Sequence, residues 1–261
     1  MSAGVMALRS LCSRELTRFS RQPARIVASI GTPAIIWVVL ASGLGGSFML
    51  RAMGGEGGSA TATSYGAYLV AGMAAMSAVF TSIFAAMSLI EDRAEGFLQA
   101  VLVSPAPSWA MVGAKVFSAA LVAAVQSGVI ILASPLAGVG LDVASVLVAL
   151  AGVAMMALGI TGLGLALAWK VNSTSGFHGV MNLVLMPMLL LSGAFFPLSG
   201  ASAVMAVLMK INPLTWPSEL IRTALLSGAG STTVWQWVLS AAFAVLGAGL
   251  GLLVMGRGRG E

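Results

Sequence analysis

The sequence is poor in the side chains that carry covalent and metal chemistry. It has one cysteine, Cys12, so an intrachain disulfide and a cysteine-based metal site are both excluded. One histidine, His178, and eight acidic residues form no cluster with metal-ligand spacing. There is no Gly-x-Ser-x-Gly and no Gly-x-x-x-x-Gly-Lys-Ser/Thr, hence no nucleophile elbow and no P-loop for nucleoside triphosphate. "GITGLGLA" at 159–166 has only the look of a nucleotide loop. It lies in an apolar run, where small residues let helices pack closely, and "GAGLG" at 247–251 reads the same way. Charge is scarce as well: 13 basic and 8 acidic residues in 261 are too few to cover a soluble protein of this size.

What is present is apolar. The chain is 59% hydrophobic with a mean hydropathy of +1.01, which marks an integral membrane protein. At about 20 residues per span, its length holds about six spans and no separate soluble domain. Uncharged intervals bounded by charges place them at about 26–47, 66–90, 116–136, 143–169, 177–196 and 234–255. The expected fold is all-α, a single transmembrane domain over 1–261. Cys12 reads as a small apolar helix residue and His178 as a juxtamembrane polar one.

Residues 1–25 read as an interfacial helix rather than a cleaved signal, the basic region being too long and the apolar run exceeding a signal core. Val5, Leu8, Leu11, Cys12, Leu16 and Phe19 share one face, and Arg14, Arg18, Arg21 and Arg25 another. That pattern directs the arginines to anionic lipid headgroups. With both termini inside, ten of the thirteen basic residues fall on the cytoplasmic side and only Arg51, Lys210 and Arg222 outside, as the positive-inside rule requires. The basic residues are not interleaved with aromatics, so nucleic acid is not an expected partner. "SFMLRAMGGEGGSATAT" reads as a flexible external loop. The stretch 198–233 reads as two short helices in the outer interface, split by "NPLTWP". There Glu219 and Arg222 stand three apart, spaced either to hold each other or to remain solvated.

Transport suits a six-span protein, but ion-coupled carriers keep charges inside the membrane. Here every charged residue is expected at or beyond a span end, and the P-loop is absent as well, so if the chain pumps, a partner supplies the energy. Residues 91–109, "EDRAEGFLQAVLVSPAPSW", gather Glu91, Asp92, Arg93 and Glu95 ahead of Phe97, Leu98 and Val101. Acidic residues favour a helix N-terminus, and the apolar positions give the segment one sticky face. A helix on lipid would favour Lys and Arg, so this acidic one points to a protein partner.

Three stretches then resemble the permease subunits of ATP-binding cassette exporters of the ABC-2 type, in the group that includes drug-resistance and nodulation-factor exporters. They are "EDRAEGFLQAVLVSPAPSWAMVGAK" at 91–115, "MNLVLMPMLLLSGAFFPLSG" at 181–200 and "INPLTWPSELIRTAL" at 211–225. Trp216 stands where the family commonly has Tyr, and Glu219 where it has Asp. The motif positions are Pro187, Ser192, Gly193, Phe196, Pro197, Asn212, Pro213, Glu219 and Arg222.

The resemblance implies a half-transporter of the prokaryotic plasma (inner) membrane. Two permease copies, identical or close paralogues, would pair, with a separate ATPase docked on the cytoplasmic side. The chain itself would bind no cofactor, and ATP and Mg would sit on that partner. Residues 91–104 would be the coupling helix. Phe97, Leu98 and Val101 would be its apolar contacts, Glu91, Asp92, Arg93 and Glu95 its polar ones, and Gly96 belongs to the pattern. The weakly polar spans suit a drug, lipid or lipid-linked cargo. Alternatives are a polysaccharide exporter, a non-transporting subunit that docks the same ATPase, and a passive channel.

Overall fold

A computed structural model describes residues 3–44, 65–104, 106–196 and 202–257, and every regular element among them is helical. Among the described residues, five helices are long and apolar enough to cross a membrane. These are α2 (Pro23–Leu44), α3 (Tyr65–Ala94), α5 (Ser108–Leu132), α6 (Val143–Lys170) and α10 (Val234–Arg257). α2, α3, α5 and α6 alternate in direction, and α10 runs alongside α6 in the same direction, so residues 91–115 gather at one end, called here the charged end. α3 lies at the centre, with Tyr68, Leu69, Met73, Met76 and Leu89 all at most 2% exposed.

A shorter apolar helix, α7 (Thr174–Leu190), has 17 residues, or about 25 Å of rise. That is shorter than the expected fifth span at 177–196. Beyond Leu190 the chain turns at Gly193, whose φ of +77° is a left-handed conformation that side chains resist. Ser192 Oγ closes the turn by donating to Leu189 O at 2.7 Å. The span expected at 116–136 starts eight residues early, at Ser108, directly after Pro107 at the helix N-cap.

α6 and α10 cross at the glycines noted in the sequence. A Cβ on Gly247 would lie 2.2 Å from Gly159 O, and one on Gly162 2.2 Å from Gly247 O. Only the absence of side chains lets these backbones meet. The expected short pair is present as α8 (Ala203–Ile211) and α9 (Thr215–Ser227). α9 does not merely rest at an interface: Leu220 and Ile221 are fully buried, and Ile221 abuts Gly152 of α6.

Candidate functional site

At the charged end, α1 (Ala3–Ser20) lies across α3 and α5. The coupling segment is divided differently from the reading above. Glu91 and Asp92 do not begin a helix; they belong to the last turn of α3. There carboxylates oppose the helix dipole and need cations. Gly96, with φ +77°, breaks the chain, and a separate helix α4 (Phe97–Val103) follows before the proline-bearing link to α5.

The cations come from α1, the start of α2 and α5. Arg14 Nη2 donates to Asp92 Oδ1 at 2.9 Å, and Arg18 Nη1 donates to the same oxygen at 2.5 Å. Arg18 Nη2 also reaches Glu91 Oε2 at 2.8 Å, and Arg25 donates to Glu91. Lys115 Nζ donates to Asp92 Oδ2 at 2.6 Å, Ser88 Oγ at 2.7 Å and Glu15 Oε1 at 3.0 Å. Burial alone would lower the Arg18 pKa; the surrounding carboxylates, Asp92 foremost, outweigh it and raise it. Cys12 Sγ reaches Ala114 O at 3.6 Å, and burial, helped by Glu15, pushes the thiol pKa up.

Two expectations change. Arg14, Arg18 and Arg25 are engaged with carboxylates of the chain itself, rather than facing lipid headgroups; Arg9 and Arg21 are the exposed ones. Asp92 and Lys115, 1% and 4% exposed, are buried within the bundle instead of lying beyond the span ends. Their burial follows from mutual pairing and from added hydrogen bonds, without which a buried charge is costly.

The same geometry redistributes the coupling residues. Arg93 donates to Trp169 O at 2.9 Å and Val171 O at 3.2 Å, fastening α3 to the end of α6. Leu98 is buried in the core, and Val101 packs against it. The Arg14 guanidinium lies 3.4 Å from the Phe97 ring centre, a cation–π contact that ties α1 to α4. The surface left open is formed by Glu95, Gln99, Ala100 and Val103, the last 88% exposed. Sequence periodicity identified the helix but not its outward side, because α1 covers one face through Arg14, which lies far from Phe97 in sequence.

At the far end the family-motif residues converge. Asn212 Nδ2 donates to Met188 O at 2.5 Å and its Oδ1 accepts from Leu214 N. Thr215 Oγ1, which the sequence reading missed, donates to Met209 O at 2.6 Å. Arg222 donates to Gly193 O, the same carbonyl that accepts from Tyr68 OH at 2.5 Å. Its guanidinium sits 4.4 Å from the Tyr68 ring centre. No ion pair joins Arg222 to Glu219 among the described residues; Arg222 is buried against α3 and the α7 turn instead of pairing along α9 or remaining solvated. Pro187 lies inside α7 and its carbonyl accepts from Leu191 N at 2.9 Å. Pro213 lies between α8 and α9, Phe196 is partly exposed, and Pro197 falls outside the described residues.

Among known proteins, residues 6–226 match the model of the ABC-2 type transporter family. The inner membrane transport permease YhhJ of Escherichia coli is 28% identical over 155 residues, 59% of this chain and 41% of that protein. Nodulation protein J of Neorhizobium galegae is 29% identical over 209 residues, covering 78% of this chain and 75% of that protein. The putative transport permease ycf38 of Porphyra purpurea is 26% identical over 223 residues, 84% of this chain and 73% of that protein. The chain thus spans about two-fifths of the Escherichia coli permease and about three-quarters of the other two. With the family model covering most of its length, and five apolar helices of membrane-crossing size, this multi-pass membrane protein belongs to the ABC-2 type transporter family.

Proposed function

We propose that the chain is the permease subunit of an ATP-driven exporter, powered by a separate ATPase and working beside a second permease copy. The charged end and both termini would face the cytoplasm of a prokaryotic inner membrane, a reading supported by ten of the thirteen basic residues. The cargo would be hydrophobic or amphiphilic, since the spans offer few polar side chains. Relatives named transport permeases support this reading.

The observation that carries it is the way α4 is mounted. It is a seven-residue helix that joins α3 directly to α5. It is backed by α1 through the Arg14–Phe97 contact and presents Gln99, Ala100 and Val103 outward, with Glu95 exposed just before it. A displacement of α4 by a docked ATPase would reach α3 and α5 covalently and α1 through the ion pairs. Such a body would move as a unit, as a population shift driven from outside the membrane requires.

The test is coexpression with the P-loop ATPase encoded nearest to this chain, followed by dye and lipid movement in inverted vesicles. The proposal expects ATP-dependent flux that needs both subunits. A stable complex without flux would favour a non-transporting subunit, and flux without ATP a channel.

A further inference from the structure

Beneath the ion-pair network a small cavity opens between α1, α2, α3 and α5. Glu15, Gln22, Thr81, Phe84, Ser88 and Ser118 line it, and it offers about 20 Å³ to water-sized molecules. One water needs roughly 10–15 Å³ and two to four polar partners, so the cavity accepts a water without rearrangement. Gln22 Oε1, buried at its edge, has no hydrogen-bond partner among the described residues.

Polar groups continue from the cavity into the apolar interior. Thr81 donates to Gln126 Oε1 across the α3–α5 contact. Gln126 is 3% exposed and Ser77 fully buried, and among the described residues neither Gln126 Nε2 nor Ser77 Oγ has a partner. On α3 the residues Asp92, Ser88, Thr81 and Ser77 fall at steps of four, seven and four, one helical face. On α5, Lys115, Ser118 and Gln126 fall at steps of three and eight and meet them. The seam runs about 22 Å along α3, at 1.5 Å per residue. Lipid cannot satisfy an amide or hydroxyl at that depth, and water can.

We propose that water enters at the ion-pair network and hydrates the α3–α5 seam as far as Gln126 and Ser77, near mid-span. The seam is thus a site for water and for protons that travel with it, within a single permease copy. It also makes α3 and α5, the two helices that α4 joins, meet across exchangeable hydrogen bonds.

Thiol accessibility tests this in nanodiscs with both faces open. In a Cys12→Ala background, Thr81→Cys and Ser118→Cys would be reacted with methanethiosulfonate ethylammonium, which needs a water-borne thiolate. Val125→Cys, on the outward face of α5 away from the seam and 64% exposed, serves as the control. The seam predicts labelling at 81 and 118 at least tenfold faster than at 125; rates no higher than the control would overturn it. Hydroxyl-radical footprinting of the unaltered protein gives a second readout, independent of how the variants fold. It should oxidise Phe84 at the cavity and spare Phe117, which is 60% exposed on an apolar outer face that the bilayer would cover; sparing of both would overturn the proposal. In sealed vesicles, entry of the reagent from the face opposite the charged end's proposed side would contradict the orientation given under Proposed function and still support the wet seam.

Discussion

Asp92 Oδ2 lies 2.6 Å from Lys115 Nζ, and neither side chain is more than 4% exposed. These two residues, from the end of α3 and the first third of α5, form the centre of the network that also holds α1. A buried pair of this kind is weak evidence for stability as such, but removing one partner strands a charge. Lys115→Met should therefore destabilise the folded permease by about 3–5 kcal/mol. Adding Asp92→Leu should recover less than the whole, because Arg14 and Arg18 also bond Asp92. Unfolding in mild detergent, followed by fluorescence of the six tryptophans, measures both.

Arg18 bridges Asp92, Glu91 and Glu95. Arg18→Ala should free α1 from the bundle while the spans stay inserted, exposing the Ser20–Arg21 bond to protease. Since its pKa is raised in the fold, the stability it contributes is fully present below the ordinary arginine pKa and is lost only above it. Protease sensitivity at this bond should accordingly stay flat from pH 7 to 10 as far as Arg18 sets it. A rise within that window would assign the grip elsewhere.

The thiol of Cys12 is expected to react slowly. Its raised pKa reduces the thiolate fraction at any given pH, and its partial burial hinders access. Alkylation at pH 8 should be several-fold slower than for a free cysteine, and Arg18→Ala should speed it by loosening α1. Equal rates before and after that substitution would disconnect the two.

Where α6 and α10 cross, Gly247→Leu should cost several kcal/mol or prevent folding, since a first carbon there would meet Gly159 O at 2.2 Å. Gly249→Ala, with nothing within 4 Å of the added carbon, should be tolerated. Yield of monodisperse protein distinguishes the two.

At the far end, Arg222→Ala should destabilise the protein strongly by leaving the Gly193 carbonyl short of a donor. Tyr68→Phe removes one hydrogen bond to that carbonyl and should cost about 1 kcal/mol. Glu219→Gln, which breaks no ion pair, should cost little. Thermal melts of the three variants rank them, and a large effect at Glu219 would restore the pairing along α9.

Much of this fold was legible because it is written in run lengths. Uncharged intervals placed α2, α3, α6 and α10 within a few residues of their observed ends, and the glycines at 159–166 and 247–251 announced a close crossing. What periodicity could not supply was long-range pairing. Glu91 and Asp92 looked like the start of a helix, because nothing local tells a last turn with distant cations from a first turn with a favourable dipole. Arg222 looked like a surface residue for the same reason: Tyr68 lies 154 positions away. The motif residues Asn212, Ser192 and Gly193 were found by resemblance, and their contacts explain the resemblance as a turn and its braces.

The central claim is that the open face of α4 seats in a separate ATPase. Photo-crosslinking from a benzophenone side chain at position 103, compared with one at position 98, tests it most directly in the ATP-hydrolysing complex. The account predicts crosslinks to the ATPase from position 103, where the native valine is 88% exposed, and none from position 98, where the native leucine is 3% exposed. A complex that hydrolyses ATP yet gives no crosslink from position 103 would contradict it.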